Sequence, residues 1–231
     1  MIIAANFKSN LTLQKIKNYF SVLDSFVNGN DDVYVFPPFF AMQEKAKNFH
    51  IGVQNAYCEF NGAFSGEITL ESLNDFGIKN ILIGHSERRN IFGENQELCA
   101  RKFDFFAQNN FSIFYCIGES LETRKKGKSA IEDFLSSQFD RIDVDYEKLI
   151  VAYEPVWAIG TGVSAKIEEI EETHNFLRTL TKRPLLYGGS VQLQNISDIL
   201  KIKNVDGALI GSASLDVENF KKMIEVARGK K

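Results

Sequence analysis

The sequence is short of the features that would assign it to several large classes. Among 231 residues there are three cysteines, three histidines and one tryptophan. Cys58, Cys99 and Cys116 are odd in number and share no CxxC spacing, which argues against a disulfide framework and fits reduced thiols inside a cell. No apolar run reaches the ~18 residues of a membrane span. The opening MIIAANFKSN has no basic segment followed by a long apolar core, so a cytoplasmic location is expected. The potential metal ligands are scattered, with no HExxH, EF-hand or clustered Cys/His spacing, and no metal is expected. Positive charge is not in excess either. A formal net charge of −3 and a pI near 5.7 argue against general affinity for nucleic acid or anionic membrane. Any anionic ligand must therefore be held by a local site.

What is present is a hydrophobic share of 44%, enough to bury a large core. Short apolar, β-branched runs recur: IIAAN at Ile2, VYVF at Val33, IGVQNA at Ile51, NILIGH at Asn80, SIFYCIG at Ser112, LIVAYE at Leu149, PLLYGG at Pro184 and GALIG at Gly207. They read as eight strands. Between them lie amphipathic stretches; in LTLQKIKNYFSVLDSFVN, residues Leu13, Ile16, Phe20, Leu23 and Val27 recur at helical spacing. Continuous apolar runs imply strands covered on both faces, hence parallel ones. The charged ETRKKGKS from Glu122 reads as a solvated helix or turn, and no linker divides the chain. The expectation is an α/β fold, a single closed (β/α)8 barrel over residues 1–231. An open doubly wound sheet is the competitor. It usually carries a glycine-rich turn after its first strand, where this chain has NFKSN.

Barrel chemistry sits at the carboxyl ends of the strands. Asn6 and Lys8 end the first strand two residues apart, and alternation would send both to one face. A strand-end salt bridge is the plainer role for that lysine. His85 falls in phase with Ile81 and Ile83 at the end of the fourth run, where it is either a core histidine or a functional one. His50 and His174 give no such signal and read as structural. Glu87, two residues on, is placed to pair with a lysine or arginine. Glu154 ends the sixth run and precedes Pro155, which biases it toward extended backbone. Gly160 and Gly162 then give that segment the look of a lid joined to the residue that it protects. GGSV at Gly188 and GSAS at Gly211 follow the last two runs, where barrels commonly hold phosphate on backbone N–H groups.

The ordered series NFKSN, GAFSGE, IGHSERR, CIGE, AYEPVWAIGTG and YGGSV resembles the triosephosphate isomerase family along essentially the whole chain. The resemblance implies interconversion of dihydroxyacetone phosphate and glyceraldehyde 3-phosphate, a step of glycolysis and gluconeogenesis, without metal or organic cofactor. It implies that Glu154 is the base, that His85 is the electrophile, kept neutral in this family, and that Lys8 and Asn6 stabilise an enediolate. Glu87 would orient this network, and the backbones around Gly160, Ser190, Gly211 and Ser212 would hold the phosphate. A homodimer is implied through the loop containing Phe60, Phe64 and Ser65. The chain departs from the usual pattern at Phe7, Ser9, Ser65, Val163, Ser164 and Ser212, where tryptophan, methionine, threonine, a Lys-Thr pair and a second glycine are common. Two other readings stay open: another sugar-phosphate isomerase or epimerase barrel, and an inactive sugar-phosphate-binding protein.

Overall fold

The computed structural model describes residues 1–158 and 165–229. The eight apolar runs become strands β1 Ile2–Asn6, β2 Asp32–Phe36, β3 His50–Ile51, β4 Asn80–Ile83, β5 Ser112–Ile117, β6 Leu149–Tyr153, β7 Leu185–Tyr187 and β8 Gly207–Ile210. All are parallel, in the order β3-β2-β1-β8-β7-β6-β5-β4. A parallel bridge from Val53 to Ile81 joins the two ends and closes the barrel, which disposes of the open sheet. Strand β3 is the shortest, because only His50 and Ile51 of IGVQNA and its lead-in keep ladder geometry.

Helices α1 Leu13–Phe26, α2 Leu70–Phe76, α3 Ser86–Asn90, α4 Gln96–Gln108, α5 Leu121–Lys125, α6 Lys128–Ser137, α7 Ile167–Leu180, α8 Ile196–Ile199 and α9 Val217–Arg228 cover the outside among the described residues. The pattern in α1 works as its spacing predicts: Thr12 caps the Lys15 N–H, and Ile16, Tyr19, Phe20 and Leu23 are buried. The charged ETRKKGKS becomes α5, a turn at Gly127 and the start of α6.

Side chains alternate between two separate cores. Ile2, Ala4, Phe36, Leu82, Phe114, Cys116, Ile150, Ala152, Leu186 and Leu209 fill the barrel interior. Their neighbours, such as Ile3, Val35, Ile83, Tyr115, Val151 and Ile210, face the helices. All three cysteines are free and buried. His174 is buried in α7 and donates from Nδ1 to the Asn204 carbonyl at 3.1 Å, in line with a structural role, while His50 stacks on Tyr34 with centroids 4.8 Å apart. No described helix is long and apolar enough to cross a membrane.

Candidate active site

Extending the inward alternation by one step past the interior core reaches Asn6, Gly84, Gly118, Glu154, Gly188 and Gly211 at the carboxyl ends of six strands. Four of these six are glycines. They leave the mouth open around the two that carry side chains. At Gly118 the reason is close approach: a Cβ there would stand 1.7 Å from the Glu154 carbonyl oxygen.

Alternation brings Asn6 and Glu154 inward, but it is the wrong reason for two other residues. Lys8 lies beyond the strand in a turn, with a left-handed φ of 50°. Its backbone N–H donates to Asn6 Oδ1 at 2.9 Å, and Gln54 Nε2 donates to both the Lys8 and Phe36 carbonyls, at 2.8 and 2.9 Å. The amide of Gln54 thus ties down a conformation that a non-glycine residue seldom adopts. His85 is also out of phase. Ile81 and Ile83 face the helices, so a continuing strand would aim His85 outward. Gly84, with φ of 74°, breaks the strand; His85 becomes the N-cap of α3 and its ring swings into the mouth.

The side chains then converge. His85 Nε2 is 3.1 Å from Glu154 Oε1, while Glu154 Oε2 accepts from the Ser86 N–H at 3.0 Å. The Glu87 N–H donates to His85 Nδ1 at 3.3 Å, which assigns the ring proton of a neutral imidazole to Nε2, pointing at the carboxylate. Glu87 Oε2 is farther from Nδ1, at 3.6 Å, and Glu87 Oε1 receives Lys8 Nζ at 2.7 Å. The lysine's salt bridge is therefore real, and it holds the ammonium at the edge of the cavity. Glu154 is only 2% exposed and His85 6%. Such a pair is dry enough for fixed dipoles to act strongly.

Asn6, Lys8, His85, Glu154, Ser190, Gly211 and Ser212 line one cavity of about 290 Å³. Glu87 stands behind it and reaches it through Lys8 and His85. Gly160, with Gly162, Val163 and Ser164, lies outside the described residues. Among the described residues the Gly189 and Ser190 backbone N–H groups donate to no backbone acceptor, and Ser190 sits at the cavity wall. Donors left over in this way in the turn after β7 are of the kind that an anion needs.

Several contributors escaped the sequence reading. Asn10 and Gln192 also line the cavity. Ser86 acts through its backbone, which no side-chain signal reports. Glu119, fully buried, accepts at Oε1 from Tyr153 Oη at 3.1 Å, Trp157 Nε1 at 3.0 Å and Arg124 Nη1 at 3.1 Å. It anchors the indole that follows Glu154. The CIGE motif was the available signal, because a carboxylate at a strand end needs partners when buried.

A family profile described as Triosephosphate isomerase matches residues 1–227. Curated proteins named triosephosphate isomerase are similar over nearly their full length. That of Nitratiruptor sp. is 55% identical over 229 residues, covering 99% of both chains. That of Sulfurovum sp. is 54% identical over 227 residues, covering 97% of this chain and 99% of its own. That of Helicobacter hepaticus is 50% identical over 233 residues, covering 98% and 99%.

Proposed function

The chain belongs to the triosephosphate isomerase family, and on that footing we propose that it interconverts dihydroxyacetone phosphate and D-glyceraldehyde 3-phosphate by proton transfer through an enediolate. The observation that carries the residue roles is the 3.1 Å approach of His85 Nε2 to Glu154 Oε1 in a cavity that also holds Lys8 and Asn6.

Glu154 is the base. It removes a proton from the carbon beside the substrate carbonyl and returns it to the neighbouring carbon. A carbon acid of this kind is weak, so the barrier depends on negative charge growing on oxygen, and fixed donors in a dry site stabilise that charge more than the substrate. His85 supplies Nε2–H, Lys8 its ammonium and Asn6 its amide. Substrate entering between His85 and Glu154 takes the Nε2–H bond over from the carboxylate, which frees Glu154 for carbon. Glu87 orients the network by holding Lys8 through its side chain and His85 Nδ1 through its backbone. The phosphate sits against the turns after β7 and β8, on the backbones of Ser190, Gly211 and Ser212.

We read residues 1–231 as one catalytic barrel domain, supported by the pairing of β1 with β8. A homodimer is our reading of its assembly. Phe60 is 53% exposed on the loop after β3, whereas Phe64 turns back onto Tyr57 with centroids 4.6 Å apart. Phe39, Phe40, Ile91 and Phe92 are also exposed, on loops after β2 and β4, the strands on either side of β3. One flank of the barrel mouth thus carries most of the exposed large apolar side chains among the described residues. Free buried thiols support a reducing compartment, the cytoplasm.

A coupled assay on metal-free protein tests the reading. Turnover in both directions is expected; a folded protein that binds the phosphosugars without interconverting them would overturn it.

A further inference from the structure

Two adjacent arginines leave α3 with different fates. Arg88 finds a carboxylate, Glu94, at 2.7 Å. Arg89, half-buried, pairs with no carboxylate among the described residues. Its guanidinium instead donates to four uncharged oxygens: the Gly84 carbonyl from Nε at 2.8 Å, Gln96 Oε1 from Nη1 at 3.1 Å, and Tyr115 Oη and the Cys116 carbonyl from Nη2 at 3.0 and 3.4 Å. Placing a cation among neutral acceptors forgoes the Coulomb gain of an ion pair, so the geometry of those four bonds is what the arrangement provides.

That geometry centres on His85. The Gly84 carbonyl belongs to the peptide unit whose nitrogen is that of His85, so gripping it fixes the plane from which the imidazole is launched. The Arg89 backbone N–H donates to the His85 carbonyl at 3.1 Å, which grips the other side. The space comes from Gly84 itself: a Cβ there would fall 2.6 Å from Arg89 Nη2. Gly84 is thus needed twice, for its positive φ and for the guanidinium beside it. On its far side Arg89 is tied to β5, and β5 is in register with β6, whose last residue, Tyr153, directly precedes Glu154.

We propose that Arg89 is a positioning residue for the isomerisation: through the Gly84 carbonyl it holds the strand break that turns His85 into the mouth, and through Tyr115 and Cys116 it references that break to the strand pair carrying Glu154. Its effect falls on the chemical step. The turns assigned to phosphate follow β7 and β8, across the barrel from β4, and keep their hold on substrate without it.

The inference rests on His85 as the electrophile, and the test separates the two. Steady-state kinetics are measured for the full chain and for Arg89→Met and Arg89→Lys, alongside ¹⁵N-imidazole spectra in which only His50, His85 and His174 contribute. Arg89→Met is expected to lower kcat about 10²-fold, the scale of a misplaced catalytic group, with KM changed by no more than about twofold. The His85 nitrogen signals move while those of His174 stay, and Arg89→Lys recovers part of kcat. A folded Arg89→Met protein with parental kcat, or with unchanged His85 signals, overturns the proposal. If Arg89→Met does not fold, Tyr115→Phe carries the test, removing one anchor of the guanidinium: a smaller fall in kcat with shifted His85 signals supports it, and parental kcat with unshifted signals overturns it. A parental protein without isomerase activity strikes at the role of His85 instead, because the spectra report on Arg89 independently of turnover.

Discussion

His85 and Glu154 follow strands that do not pair with each other, β4 and β6, yet Nε2 of one lies 3.1 Å from Oε1 of the other, and the residue after the histidine donates its backbone N–H to the second carboxylate oxygen. The contact locks the carboxylate in a buried position without neutralising it by a formal charge.

Replacing Glu154 by glutamine keeps the size and removes the base. Glu154→Gln is expected to fold and to lower kcat by roughly 10² to 10⁴, measured by coupled assay in both directions. Near-parental turnover from a folded variant would take Glu154 out of the mechanism.

Lys8 tests whether its bond to Glu87 serves the fold or the reaction. The pair is partly exposed, with side chains 26% and 38% accessible, so its loss should change stability by no more than about 1 kcal/mol. Lys8→Met should nevertheless lower kcat/KM by at least about 10²-fold, as expected for loss of a donor aimed at developing charge. Equal kcat/KM in urea-matched samples would return Lys8 to a structural role.

Phe60 tests assembly. Light scattering at micromolar concentration should give a dimer for the parent and a smaller species for Phe60→Asp, since a charge at the centre of an apolar contact must be desolvated. A parent that is monomeric and fully active contradicts the assignment.

His174 should make the protein acid-sensitive. Burial is the main cause that lowers its pKa, from the ordinary 6.5 to about 4, against the raising effect of the Asn204 carbonyl. Among the described residues its Nε2 has no partner, and the ring lies between Tyr153 and Tyr187, so a second proton brings an unpaired charge into the core. The unfolded chain takes up that proton near pH 6.5 and the folded chain only near 4. Stability is therefore full above about 6.5 and falls as pH drops toward 4, by up to about 3 kcal/mol. Urea denaturation across this window should show His174→Gln losing less than the parent; parallel losses would rule the histidine out as the cause.

The eight strands, the helix α1 and the grouping of reactive residues at strand ends were legible because each depends on local pattern: apolar runs, a three-to-four spacing, a polar residue where a run stops. Strand β3 was legible as a run but not in its extent, since its ladder ends where its neighbours stop pairing with it. Asn6 and Glu154 followed the alternation that their strands set. Lys8 and His85 line the same cavity, but not by the alternation expected of them, because a single positive φ, at Lys8 itself and at Gly84, redirects the chain without changing the hydrophobic pattern around it. Gln54 and Arg89 left no mark in the pattern, since what they do is hold backbone and buried groups of segments brought beside them by folding.

The sequence by itself therefore determined the βα alternation, the parallel sheet and the placing of polar residues where the apolar runs stop, all of which follow from periodicity and residue type over a few positions. The tertiary structure decided the closure of the barrel through Val53 and Ile81, the aim of His85, and the support of Lys8 by Gln54. The first and last of these join segments tens of residues apart, and the aim of His85 is held by Arg89 against a strand equally remote. Such contacts are set by how the whole barrel packs, and no local preference of the chain encodes them.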